Sequence, residues 1–259
     1  METIELKLDL KNHEQKDFSS VYKILVDWSE ARGDCPALLL LDDVPPMIIR
    51  YDEDSSIVIL NRTSCRIERD LKKVLRKSEE KVEQNLFEKL KEVWHPSLAY
   101  KVWYRWLLEI CSYLKIETPA VYFTKKKLGW FGSLNGTVFP GGDKPYATDV
   151  FITVDENNIL YAVKILLHEL RHVWQHKYHN DMFDGYFSFK RENSEQYYMQ
   201  KAEIDADAFA YWVLEENGVK FILEDLGEKR CIKLREQMEH YRNAGEKAPV
   251  LFNLQKNDD

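Results

Sequence analysis

The hydrophobic and polar positions of the chain follow two periods, one typical of strands and one of helices. Apolar residues alternate with charged ones over residues 4–10, which is the pattern of a strand with one buried face. A helix is predicted over residues 17–32. Three short apolar runs, with turn sequences between them, predict strands over residues 37–41, 47–51 and 56–60. Together these elements predict a small α+β segment that covers residues 1–61.

Helical periodicity dominates from residue 64 onward. Residues 64–93 are rich in Lys, Glu, Arg and Leu, which predicts a long amphipathic helix or a broken pair within a helical connector over residues 62–96. Residues 97–259 are predicted to form a further domain, and the predicted fold class is α+β. Its predicted elements are helices over residues 98–114, 157–178, 194–217 (closed by Gly218) and 228–242, and strands over residues 119–123 and 149–155 with a glycine-rich hairpin or loop between them.

Charge and cysteine content restrict the function classes. The chain has 37 Lys and Arg against 44 Asp and Glu, a net charge of −7, so no nucleic-acid partner is expected. Its four cysteines form no C-x-x-C pair, which argues against a zinc ribbon and a dithiol redox site and predicts reduced thiols. No signal-peptide pattern and no apolar run of roughly 18 residues are evident. These features predict a cytoplasmic protein without a membrane partner, and they do not indicate an oligomeric state.

The sequence H-E-L-R-H, residues 168–172, is the first candidate for chemistry. His168 and His172 are four residues apart, so on a helix both imidazoles share one face and can bind one zinc ion. Glu169 would lie beside the metal, where a carboxylate can act as general base toward a water molecule. The short pattern also fits an ordinary buried helix that contains histidines, so a third ligand is needed to decide.

Glu203 is the best candidate for that third ligand. His176 lies about 12 Å from His168 on a straight helix and cannot share an ion with it. The extended pattern with a third histidine fails because Tyr178 occupies that position. Glu203 can complete a His–His–Glu site, and Asp207, one turn later, can hydrogen-bond the free ring nitrogen of a ligand histidine. Asp205 points about 200° away from Glu203 and is predicted to lie at the surface.

With these motifs, residues 97–217 resemble the gluzincin metallopeptidases, most closely the ImmA/IrrE type. The resemblance rests on a predicted strand, D-V-F-I-T-V-D, followed by a helix with H-E-L-R-H and a helix with E-I-D-A-D-A-F-A. It implies a minimal zincin-like core, a small sheet with packed active-site helices. It also implies Zn²⁺ bound by His168, His172 and Glu203, with Glu169 as general base and Asp207 behind a ligand. The glycine-rich segment would then border the cleft and could pair with an extended peptide.

The expected function is therefore a zinc-dependent metallopeptidase that acts on a protein or peptide. The alternative is a binding or regulatory protein that retains a zincin-like zinc site without catalysis. Several side chains near the motifs could stabilise a developing oxyanion, and the sequence does not select among them: Tyr186, Tyr197, Tyr198, His179 and Arg171. The aromatic residues after the zinc helix could form a substrate wall or a local core: Phe183, Tyr186, Phe187 and Phe189.

Overall fold

The computed structural model of the chain describes residues 17–32, 36–41, 44–52, 55–77, 100–124, 136–140, 147–153, 159–221 and 223–252. The chain divides into two compact units, one comprising Met1–Leu108 and Glu117–Ala162 and the other Glu109–Ile116 and Val163–Asp259. The strand predicted over residues 4–10 and most of the long helix predicted over residues 64–93 lie outside the described residues. The division at residues 61 and 96 stays a prediction.

The first unit contains a three-stranded mixed sheet with the strand order β1-β3-β2. Strand β3 pairs parallel with β1 and antiparallel with β2. All five side chains of β1 are buried, as are the four apolar residues 57–60 of β3, so both faces of these strands are covered. The elements are helix α1 (Ser19–Arg32), strands β1 (Ala37–Leu41), β2 (Met47–Asp52) and β3 (Ser55–Asn61), and helix α2 (Ile67–Leu75).

A second three-stranded sheet, with the order β4-β6-β5, belongs to the same unit. Strand β6 pairs parallel with β4 and antiparallel with β5. Strand β5 lies in the glycine-rich stretch, where its antiparallel pairing agrees with the hairpin alternative. The elements are helix α3 (Tyr100–Leu114), whose residues from 109 onward are assigned to the second unit, and strands β4 (Ala120–Thr124), β5 (Gly136–Pro140) and β6 (Ala147–Thr153). Two mixed sheets with separate helices confirm the α+β class.

The second unit is built from helices, of which α6 (Lys201–Glu216) is the most deeply buried. Twelve of its sixteen residues are buried, and small alanines at positions 202, 206, 208 and 210 allow neighbouring backbones to approach closely. Helix α7 (Glu228–Asn243) packs on it with Leu234, Met238 and Tyr241 buried. The other helices are α5 (Ser194–Tyr198) and α4 (Ile159–Tyr178), of which residues 163–178 belong to this unit. Among the described helices, none combines the length and apolar character that a membrane crossing requires.

The helix predicted over residues 194–217 is two helices. Helix α5 ends at Tyr198, and Gln200 has extended backbone angles, φ −64° and ψ 149°, immediately before α6 begins. The break changes the direction of the chain between the aromatic residues of α5 and the carboxylates of α6. The hydrophobic periodicity of residues 194–217 does not indicate this break, because neither half contains a strong helix breaker such as Gly or Pro.

The predicted C-terminal cap at Gly218 is confirmed. Its φ is +83°, and it closes α6 with two reversed hydrogen bonds, from Gly218 N to Glu215 O at 2.9 Å and from Val219 N to Leu214 O at 2.9 Å. A Cβ atom is strained in this left-handed conformation, which explains the glycine.

Replacement of Gly218 by alanine should therefore destabilise the second unit by about 1 kcal/mol. Gly218→Asn is the matched control, because asparagine tolerates the left-handed region better than alanine does. Urea unfolding followed by tryptophan fluorescence measures both variants. An alanine variant no less stable than the asparagine variant would contradict the cap assignment.

Candidate metal centre

Three side chains from two helices converge at one point of the second unit. His168 and His172 project from the same face of α4, and their Nε2 atoms are 3.0 Å apart. Glu203 of α6 places Oε2 3.5 Å from Nε2 of His168 and Oε1 3.5 Å from Nε2 of His172. Donor atoms in a tetrahedron with bonds of 2.0–2.1 Å are about 3.3 Å apart. The group His168, His172 and Glu203 could therefore hold one metal ion, and the predicted ligand residues do lie together.

Asp207 lies behind His168, as the sequence predicts for a residue that orients a ligand. Its Oδ1 is 2.8 Å from Nδ1 of His168, so Nδ1–H donates to the carboxylate and Nε2 is the nitrogen left to bind a metal. Asp207 also forms ion pairs with Lys164 and Arg230. Burial would raise the pKa of Asp207, but Lys164, His168 and Arg230 lower it well below its usual value. The carboxylate is therefore charged.

Gln175 hydrogen-bonds Nδ1 of His172 as Asp207 hydrogen-bonds Nδ1 of His168. Its Oε1 is 2.7 Å from Nδ1 of His172, and its side chain is fully buried. Its amide nitrogen donates to the carbonyl of Ala202 at 2.9 Å and to Oδ2 of Asp205 at 2.7 Å. Each histidine thus donates from Nδ1 to an acceptor of its own, so both Nε2 atoms face the same point.

The prediction that Asp205 lies at the surface is wrong. Asp205 is only 3% exposed and accepts hydrogen bonds from Nε and Nη2 of Arg171, at 2.8 and 3.2 Å, and from the hydroxyl of Tyr241 at 2.6 Å. Asp205 does point away from the face of Glu203, but that far face of the helix is covered by other residues. Tyr241 comes from α7, so the C-terminal helix buries that face.

The charges around the three donor atoms are strongly coupled. Burial would raise the pKa of Glu203, but both histidines hold it well below its usual value. Burial would lower the pKa of His168, but Asp207 and Glu203 raise it to about 10. Glu203 is thus a carboxylate, and the pocket favours positive charge at the point where the Nε2 atoms meet.

Glu169, the predicted general base, is buried at 6% exposure beside this group. Burial raises the pKa of its carboxyl, and the nearby charge of Glu203 adds to that rise, while His168, His172 and Lys164 oppose it. A carboxyl group with a raised pKa is suited to accept a proton. Its catalytic role stays a prediction.

Two tyrosines extend the hydrogen-bond network of Glu203. The hydroxyl of Tyr186 donates to Oε1 of Glu203 at 2.6 Å and lies 2.9 Å from the hydroxyl of Tyr197. A phenol carries one proton, so Tyr197 must donate to the oxygen of Tyr186. Burial, together with the charge of Glu203, raises the pKa of both hydroxyls, which stay protonated. Of the five oxyanion candidates, Tyr186 is thus hydrogen-bonded directly to a predicted metal ligand.

The other candidates have different surroundings. Arg171 is paired with Asp205, and the ring of His179 lies 4.4 Å from that of Trp174. The predicted non-ligand His176 is not part of the three-residue group and stacks on Phe183 at 4.0 Å. Tyr198 carries the guanidinium of Arg230 over its ring at 4.4 Å.

Sequence reasoning missed three residues that hold the site in place. Lys164 precedes His168 by four residues and Gln175 follows His172 by three, so helical spacing could have indicated both. Arg230 is separated from Asp207 by 23 residues, and no local signal connects them.

Glu203→Gln should lose the metal, because the amide offers a neutral, weaker donor in place of the carboxylate. After loading with Zn²⁺ and desalting, elemental analysis should give about one ion per chain for the wild-type protein and little for the variant. The matched control is Glu216→Gln, the same substitution at an exposed position of α6. Full zinc occupancy in Glu203→Gln would remove Glu203 from the ligand set.

No model of a known protein family, no curated protein and no solved structure matches this chain.

Proposed function

We propose that the chain is a zinc-dependent metallopeptidase. The observation that carries the proposal is the convergence of two imidazole nitrogens and one carboxylate at 3.0–3.5 Å, with a second buried carboxyl, that of Glu169, next to the first ligand in the sequence. Two histidines and a glutamate with an open fourth position are a donor set used by catalytic zinc in hydrolases.

Zinc fits these donors better than the hard divalent cations do. Mg²⁺ and Ca²⁺ prefer shells of oxygen ligands, whereas imidazole nitrogen suits zinc and its transition-metal neighbours. Asp207 and Gln175 orient the imidazoles from behind, as outer partners do in many zinc sites. We extend the proposal to a gluzincin-type, zincin-like core of the ImmA/IrrE kind, on the strength of H-E-L-R-H on α4 and Glu203 and Asp207 on α6.

The chemistry divides between the metal and the chain. A zinc ion held by His168, His172 and Glu203 would polarise a peptide carbonyl and lower the pKa of a water molecule. Glu169 takes a proton from the attacking water and passes it to the leaving amine.

Tyr186 is positioned to assist the same reaction. Its hydroxyl proton is already directed at Oε1 of Glu203, and a modest rotation would direct it to an oxygen of the substrate beside the ligand. Tyr197, which donates to the Tyr186 oxygen, polarises that hydroxyl further. We therefore assign the stabilisation of the developing oxyanion to Tyr186.

Glu169→Gln should retain zinc and lose at least roughly 10²-fold in hydrolysis rate, because the amide cannot accept the proton. The assay uses a panel of denatured proteins with the zinc-loaded protein, with and without a chelator. A wild-type protein that holds zinc and cleaves nothing would favour a non-catalytic zinc-binding protein. A Glu169→Gln variant as active as the wild type would contradict the mechanism.

Tyr186→Phe should lower the turnover number by roughly 10²-fold while zinc content is unchanged, since it removes one donor to the transition state. Tyr178→Phe is the matched control, because its hydroxyl donates to the backbone carbonyl of Lys115 and not to the centre. Equal activity of the two variants would exclude Tyr186 as the oxyanion donor.

A further inference from the structure

The buried amide of Gln175 has one possible orientation. On one side it faces the carbonyl of Ala202 and the carboxylate of Asp205, at 2.9 and 2.7 Å. Both of these groups only accept hydrogen bonds, so the nitrogen of the amide must face them. Its oxygen therefore faces Nδ1 of His172, at 2.7 Å. A flipped amide would place its oxygen against two acceptors in a site without water access, which is costly.

The orientation of Gln175 decides the tautomer of His172. An amide oxygen accepts and cannot donate, so Nδ1 of His172 must carry the hydrogen. Nε2 is then the nitrogen left to bind a metal, and it faces Glu203 and His168. His168 needs no such arrangement, because both oxygens of a carboxylate such as Asp207 are acceptors.

Asp205 is itself fixed from two directions. Arg171 binds it through two nitrogens, and α7 adds the hydroxyl of Tyr241 at 2.6 Å and the amide of Gln237 at 3.1 Å. Both oxygens of Asp205 therefore accept hydrogen bonds in an ion pair with Arg171, and toward Gln175 the carboxylate is an acceptor.

We propose that Gln175 and Asp205 form a positioning relay, in which Asp205, anchored to α7, orients Gln175 and Gln175 fixes His172 in the tautomer that binds metal. The inference rests on the metal centre of the proposed function and does not require that the protein cleave peptides. It gives the C-terminal helix a part in metal binding, although Tyr241 and Gln237 do not belong to the ligand group.

The test is the affinity for Zn²⁺, measured by competition with a chromophoric chelator. Gln175→Met keeps the length of the side chain and removes the acceptor, so it should weaken zinc binding about 10- to 100-fold. The matched control is Gln200→Met, since Gln200 is also hydrogen-bonded at both ends of its amide, to the backbone of Phe187, but touches no ligand. Its zinc affinity should stay within about threefold of the wild type, well below the loss expected for an outer partner.

Gln175→Glu separates positioning from packing. A glutamate restores an acceptor for Nδ1 of His172 in either orientation, so zinc affinity should return toward that of the wild type. The same change faces Asp205 with a second carboxyl, so thermal unfolding of the metal-free variant should occur at a lower temperature than for Gln175→Met. If Gln175 had only a structural role, the zinc affinities of the variants would instead follow the same order as their thermal stabilities.

Asp205→Asn tests the second step of the relay. It should weaken zinc binding in the wild-type background and have little effect in the Gln175→Glu background, where the orientation of the side chain no longer matters. Equal losses in both backgrounds would exclude Asp205 from the relay. If Asp205→Asn does not fold, the two Gln175 variants decide.

The outcomes separate the relay from the proposed function. Gln175→Met with the zinc affinity of the wild type, or with the same loss as Gln200→Met, would overturn the relay. A wild-type protein that binds no zinc would overturn the metal centre and the relay together. A protein that binds zinc, loses it in Gln175→Met and cleaves nothing would support the relay and contradict only the peptidase.

Discussion

The burial of three carboxylates on one helix is the constraint on which the second unit depends. Glu203, Asp205 and Asp207 are each at most 3% exposed. An unpaired charge in such a place is prohibitively costly, so each carboxylate needs its own compensation. They receive it in three different forms: the paired histidines for Glu203, a guanidinium and a phenol for Asp205, and an imidazole with two cations for Asp207.

Helix α4 supplies most of the hydrogen-bond and ion-pair partners of these carboxylates from one of its faces. The residues that face the carboxylates recur at intervals of three or four: Lys164, His168, Arg171, His172 and Gln175. This spacing is the one that normally makes an apolar face, and here it makes a polar one. Between these polar residues α4 also carries buried apolar side chains, among them Val163, Leu167 and Leu170. The two histidines that could hold a metal ion thus belong to a longer row of polar contacts between α4 and α6.

Helical geometry explains why the core of the site could be predicted from the sequence. The spacings of His168 to His172 and of Glu203 to Asp207 are local, and the α4 and α6 segments are helices in the structure. The features that the sequence did not predict are tertiary contacts. The burial of Asp205 depends on α7, and the partnership of Arg230 with Asp207 depends on how α7 packs on α6. Neither follows from a period in the sequence.

The α+β class could also be predicted from the sequence, because the apolar runs of β1 and β3 are short and bounded by turns. The α5–α6 break could not, since nothing in residues 198–201 is a strong helix breaker, and the extended backbone of Gln200 is a local departure within a helix-forming sequence. That break matters for the site. Tyr197, on the short helix before the break, contacts the hydroxyl of Tyr186, which donates to Glu203 at the start of α6.

The two histidines differ in the acceptor that their Nδ1 atom contacts, and this difference has an electrostatic consequence. A free aspartate behind His168 would draw its Nδ1 proton strongly and make the imidazole more electron-rich. Lys164 and Arg230 share Asp207, which weakens that pull, while the neutral Gln175 exerts little on His172. With a metal ion at Nε2, both imidazoles would be neutral donors and Glu203 would be the one anionic donor of the three. A divalent cation held there would keep a net positive charge, which is the condition for it to act as a Lewis acid.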